Sequence, residues 1–266
     1  KTFIMNKLLL THLEVDEMYK QLGEKKVSPY FYKINKNSHF FYYIGTNHIF
    51  DPNDPQIEII RYYWQEFLNE TDKKNCIVLI EGGERPVKNS DTEEYLIKTN
   101  GEPSFVAFLA YHAKIEYYSP EPDAKEEIEE MIKVFSKEDT IYYYIARVAL
   151  QWNKLNPKPD FVEYISGSLK GYKETTGWED FDFSIENFIK LHNEKHKHKF
   201  SEKDKKCFYH DSNPFTSELS RMSGDIRDEH ILNEILKLWK KGKNIFIVFG
   251  SGHAIKQERA LRNILN

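Results

Sequence analysis

The run Cys76-Ile77-Val78-Leu79-Ile80 has no polar member and stops abruptly at Glu81-Gly82-Gly83. A strand with one face in water alternates apolar and polar residues. An uninterrupted run rich in β-branched residues therefore belongs to a strand buried on both faces, as in a parallel sheet covered by helices. A second such run, over 244–249, ends at Gly250-Ser251-Gly252-His253. Parallel strands need long crossover connections, and the sequence supplies them. Asp54 offers a helix N-cap with Pro55 at the first helical position, and Ile57, Ile60, Trp64, Phe67 and Leu68 recur at helical spacing to about Thr71. The aromatic-rich segments 29–34 and 39–44 flank Asn35-Lys36-Asn37-Ser38 and predict a β-hairpin, because asparagine tolerates positive φ.

The same alternation continues with a helix over 103–113, a strand over 115–119 and a charged helix that Asp123 would cap. It closes with an amphipathic helix from Arg227 to about Lys241, the second apolar strand and a last helix after His253. Between them, a helical pattern over 140–152 gives way to polar sequence holding Pro157, Pro159, Gly167, Gly171 and Gly177. The expectation is a single α/β domain over 1–266. Its sheet is mixed and largely parallel, with an N-terminal β-hairpin, flanking helices and a helical insertion or cap over 136–222.

Charge and composition narrow the function. With 38 Lys and Arg against 42 Asp and Glu in 266 residues, the formal charge of −4 lacks the basic excess of a nucleic-acid binder. No apolar run approaches the roughly 18 residues of a membrane span. Two cysteines far apart, Cys76 and Cys207, form neither a CxxC pair nor a secreted framework. A soluble chain in a reducing, cytoplasmic setting is the expectation, although a sequence opening on Lys1 is compatible with a trimmed upstream signal.

In an open α/β sheet ligands bind beyond the carboxyl ends of the parallel strands. Four expected strand ends carry polar chemistry: Gly45-Thr46-Asn47-His48, Glu81-Gly82-Gly83, Ser119-Pro120-Glu121-Pro122-Asp123 and Gly250-Ser251-Gly252-His253. The first and last are both G-x-x-H. Ten histidines and twelve glycines would yield about half of one such motif by chance, so its weight comes from placement at a strand end. Glu81 serves either a metal or a proton transfer, or it binds backbone amides at a helix start. Glu121, held rigid between two prolines, is a second candidate carboxylate, whereas Asp123 suits a cap. Arg227 could hold a substrate carboxylate or a developing oxyanion, or pair with Asp228 or Glu229 at the surface. Imidazole and carboxylate together suit manganese, cobalt or zinc with water in an open position, and the chemistry such a set does best is hydrolysis.

Other clusters carry less. His192-Asn193-Glu194-Lys195-His196 places two histidines one turn apart, but the glutamate is out of register for H-E-x-x-H and the flanking lysines predict a solvated face. His210-Asp211-Ser212-Asn213-Pro214-Phe215 reads as an Asx-turn or part of a cleft. The aromatic clusters at 62–64 and 142–144 read as helix packing.

In order as well as motif, the sequence resembles the TraB/GumN/TIKI family, itself similar to erythromycin-esterase and ChaN-like proteins. The resemblance rests on four segments. These are the opening arms Tyr30-Phe31-Tyr32-Lys33-Ile34 and Phe41-Tyr42-Tyr43-Ile44-Gly45-Thr46-Asn47-His48, the strand-terminal Glu81, Ile226-Arg227-Asp228, and Val248-Phe249-Gly250-Ser251-Gly252-His253. It implies metal-dependent peptidase chemistry in which His48, His253 and Glu81 hold the ion, with a small peptide or ester as substrate. Other branches of the superfamily are linked to peptide-pheromone shutdown, lactone opening or haem binding. A non-catalytic protein that sequesters a peptide or haem-like ligand is thus the competing expectation.

Overall fold

The computed structural model describes residues 8–23, 29–153, 155, 157–203, 205–209 and 214–265. In chain order its elements are α1 (His12–Leu22), β1 (Tyr30–Lys36), β2 (His39–Thr46), α2 (Pro55–Glu70), β3 (Cys76–Ile80), α3 (Glu93–Asn100), α4 (Glu102–Ala113), β4 (Tyr117–Tyr118), α5 (Ala124–Met131), α6 (Lys137–Trp152), α7 (Phe161–Thr176), α8 (Ile185–His196), α9 (Lys205–Phe208), α10 (Pro214–Lys240), β5 (Asn244–Gly250) and α11 (Ser251–Leu265). The chain separates into two compact units, one of Lys1–Glu121 with Asp228–Asn266 and the other of Pro122–Arg227.

The first unit is an α/β fold around a mixed, mostly parallel sheet in the order β1-β2-β5-β3-β4. β1 and β2 pair antiparallel through a two-residue turn at Asn37 and Ser38, both with positive φ, the geometry that suits a tight hairpin. β5, the last strand in sequence, lies between β2 and β3 and is parallel to both. All seven residues of β5 and all five of β3 are buried, as their unbroken apolar runs require.

Strand alternation divides the core cleanly. Tyr43, Ile77, Leu79, Ile245, Ile247 and Phe249 face Ile231, Leu232 and Ile235 of α10 and Ala254, Ala260 and Leu261 of α11. On the other face Tyr42, Ile44, Val78, Ile80, Phe246 and Val248 meet Ile57, Ile60, Trp64 and Phe67 of α2 and Phe105, Val106 and Ala110 of α4. At about 1.5–3 kcal/mol for each fully buried large apolar side chain, these two layers supply the main driving force of the unit.

Several sequence-level boundaries move. The strand expected over 115–119 pairs only at Tyr117–Tyr118, on the sheet edge. The helix expected to begin at Arg227 begins thirteen residues earlier, because Gly224 and its polar neighbours are accommodated inside one 27-residue helix. Arg227 thus lies mid-helix and is not at a helix start. The second unit, which contains the whole segment 136–222, has helices and no strand among its described residues. Gly167 and Gly171 sit within α7, and Gly177 is its left-handed C-cap. α8 is not the solvated face that its lysines suggest, since His192 is 0% exposed within a core formed with α6 and α7. Residues 210–213 of the expected polar turn lie outside the described residues.

Close packing between β2 and α11 depends on Gly45. A Cβ there would come within 2.8 Å of Ala254 Cβ and of Ser251 Cα, closer than real contacts allow. Gly45→Ala is expected to destabilise the protein by about 1–3 kcal/mol, measured by denaturant unfolding.

Candidate functional site

Placing β5 between β2 and β3 brings three of the four polar strand ends side by side. Thr46 pairs with Gly250, and Ile80, directly before Glu81, pairs with Val248. The two G-x-x-H motifs, about two hundred positions apart in sequence, thereby leave neighbouring strands at one sheet edge. Gly250 is the floor between them. A Cβ at this position would lie 3.4 Å from both Glu81 Oε2 and His48 Nε2, in ordinary contact with each, so the two side chains stand on either side of this backbone position.

Each histidine is backed by a buried carboxylate. His253 Nδ1 is 2.6 Å from Asp228 Oδ1, and the same oxygen accepts from Gln257 Nε2 at 2.6 Å. Lys256 Nζ lies 2.8 Å from Asp228 Oδ2. Burial alone would raise the pKa of Asp228, but His253 and Lys256 outweigh it and hold the carboxyl well below the usual range. An ionised carboxylate only accepts, so Nδ1 of His253 carries the proton and Nε2 is directed elsewhere. Nε2 lies 3.8 Å from Glu81 Oε1. On the other strand, His48 Nδ1 is 3.5 Å from Glu102 Oε1. Glu102 is buried and also accepts from Thr46 Oγ1 at 2.7 Å and the Ile49 amide at 2.6 Å. Its burial is likewise outweighed, by bonds from His48 and Thr46, and its pKa is lowered. His48 itself takes φ 54°, a left-handed conformation costing about 1–2 kcal/mol for a residue with a Cβ, and its side chain is 61% exposed. Strain of this kind concentrates at functional positions.

Glu81 divides its carboxylate between two tasks. Oε2 accepts from the Gly250 amide at 2.6 Å, at the start of α11, and Oε1 faces His253. Both sequence-level readings of this residue, amide binding and a role in the site, therefore have a geometric counterpart. Glu121 bonds the Gly82 amide at 2.8 Å and Ser119 Oγ at 3.3 Å, tying the turn after β3 to the end of β4. Asp123 caps α5 through the Glu126 amide at 2.8 Å.

The residues that sequence reasoning missed are the two buried carboxylates. Asp228 had a visible signal, because it shares the 3.6-residue stripe of Ile231, Leu232 and Ile235, where a charge has no packing reason to be. Glu102 had none, since a glutamate in the first turn of a helix is ordinary there.

Two imidazoles and a carboxylate are donor types that a divalent metal takes, and Asp228 and Glu102 lie on the Nδ1 side of His253 and His48. Donor atoms of His48, Glu81 and His253 do not all lie within 4.8 Å of one another; among the described residues the one group of three or more His, Cys, Asp or Glu that does so is in the second unit.

Replacing Asp228 by asparagine removes the charge that Lys256 and His253 face inside the protein. Asp228→Asn is expected to cost about 3–5 kcal/mol in denaturant unfolding, as for a broken buried ion pair. Because the folded pKa of Asp228 is depressed, its contribution is present above the unfolded value near 3.9 and lost as pH falls further. Wild-type stability should therefore decline more steeply than that of the variant below about pH 4. Comparison of the chain with protein-family models, with curated proteins and with solved structures finds no match.

Proposed function

We infer that the chain is a hydrolase of small peptides or esters, acting at the sheet edge formed by His48, Glu81 and His253. The observation that supports this reading most is the paired histidine–carboxylate geometry. Asp228 holds Nδ1 of His253 at 2.6 Å and Glu102 lies 3.5 Å from Nδ1 of His48, so both rings are oriented from behind by buried acids. A packing role needs neither buried acid, and each acid would be unfavourable there unless its charge were compensated.

His48, His253 and Glu81 are the residues that would hold a divalent ion of the manganese, cobalt or zinc type. Such an ion supplies Lewis-acid polarisation of a carbonyl and lowers the pKa of bound water. With Oε2 bonded to the Gly250 amide, Oε1 of Glu81 is on this reading the oxygen that would bind the ion or, in place of that, take a proton from an attacking water and return it to the leaving group. Glu121 acts on this reading by fixing the Gly82 turn that carries Glu81. The resemblance of the ordered motifs to the TraB/GumN/TIKI family supports the same assignment of His48, Glu81 and His253. No helix among the described residues is long and apolar enough to cross a membrane.

The test is turnover of a panel of short peptides and esters by chelator-treated protein, with and without added manganese, cobalt or zinc. The expected result is metal-restored hydrolysis, reduced by about 10²–10⁴-fold in Glu81→Gln. The His48→Ala/His253→Ala double variant is expected to fold and to lose both metal binding and turnover. Tight peptide binding with no turnover under any metal would replace catalysis by sequestration. Turnover indifferent to chelation would remove the metal from the mechanism.

A further inference from the structure

A second cluster of ligating side chains lies in the helical unit, apart from the residues discussed above. One donor atom each from His192, His196 and Cys207 falls within 4.8 Å of the other two. His198 adds a fourth group, with Nε2 3.0 Å from Cys207 Sγ, and its ring centroid is 5.5 Å from that of His192 and 5.8 Å from that of His196. His192 and His196 are one turn apart on α8, His198 follows the left-handed residue Lys197 that ends the helix, and Cys207 belongs to α9. His192 is fully buried, and His196 and Cys207 are half-buried.

We propose that His192, His196, His198 and Cys207 form a structural zinc site that staples α9 to the C-terminal end of α8. Three imidazoles and a thiolate are the borderline-soft donor set that zinc prefers, and they disfavour magnesium and calcium, which select oxygen. With Zn–N of about 2.0–2.1 Å and Zn–S of about 2.3 Å, tetrahedral donors sit about 3.3–3.6 Å apart. The separations under 4.8 Å among His192, His196 and Cys207 and the 3.0 Å from Cys207 to His198 lie on either side of that value, and closing the site requires rotation of His198 toward the other two imidazoles. An orienting group is also in place, since the Tyr142 hydroxyl is 3.0 Å from His192 Nδ1 and 2.7 Å from His196 Nε2. An imidazole has two nitrogens, and a ligating histidine commonly engages the metal with one and a polar neighbour with the other. Zinc binding releases the Cys207 thiol proton to solvent and involves no change of oxidation state. A short helix of four residues gains from the ion a cross-link that its own hydrogen bonds cannot supply.

The probe is cobalt(II), a spectroscopic substitute for zinc, added to metal-free full-length protein. Tetrahedral visible bands and a near-ultraviolet thiolate-to-cobalt charge-transfer band are expected, and zinc should displace both. The charge-transfer band should persist in the His48→Ala/His253→Ala variant, which separates this site from the sheet edge, and vanish in Cys207→Ser. Cys207 is half-buried, so its loss leaves the core intact, and Tyr142→Phe provides a second reading by weakening affinity about 10–100-fold while keeping the band. As an independent measurement, zinc should slow alkylation of Cys207 by about tenfold or more, since the bound thiolate is withdrawn from reaction. No charge-transfer band in the wild type, a band surviving Cys207→Ser, or alkylation unaffected by zinc would overturn the proposal.

Discussion

A strand buried on both faces has only its two edges through which to satisfy its backbone, and β5 does so by pairing with β2 on one side and β3 on the other. Everything else in the α/β unit follows from that pairing. It places the last strand in sequence at the centre of the sheet and aligns Thr46 with Gly250. It also puts Glu81 within reach of the amide that opens α11. The aromatic residues Tyr42, Phe67, Trp64 and Phe246 pack against one another on one face, and α10 and α11 cover the other.

The chemistry of the sheet edge depends on buried charge. Asp228 and Glu102 are both withdrawn from water, which disfavours their ionised forms, and both are ionised because polar donors converge on them. Asp228 is the more committed of the two, with His253, Lys256 and Gln257 all directed at it. A carboxylate held in this way cannot reorient cheaply, and neither can the imidazole it faces. His48 is held differently. Its backbone is left-handed and its ring is largely exposed, whereas the His253 ring is largely buried. The helical unit gathers its three histidines on α8 and just after it, with Cys207 on α9 beside them.

Much of this was legible beforehand where local physics decides it. The buried strand 76–80 has the predicted bounds, the helix capped by Asp54 ends within a residue of expectation, and the α/β class follows from both. The hairpin turn fell at Asn37-Ser38, within the predicted segment. Boundaries that depend on partners were harder to read. The strand expected over 115–119 shrank to two paired residues because only the edge of β3 was available to it. α10 ran through Gly224 because a long helix tolerates one glycine when both ends are packed. His192 looked solvated because lysines surround it in sequence, yet its own face of α8 points inward.

By itself the sequence determined the hairpin, the buried strands β3 and β5 and the helix capped by Asp54, since period, capping residues and turn residues act over a few positions. It also marked His48, Glu81 and His253 as polar residues at strand ends, where packing has no need of them. Only the tertiary structure decided that β5 enters between β2 and β3, that the two histidine motifs are neighbours, and that Asp228 and Glu102 stand behind them. The reason is physical: strand order and the burial of a charge are settled by contacts between residues far apart in the chain. No local pattern records the partner that makes a buried carboxylate tolerable.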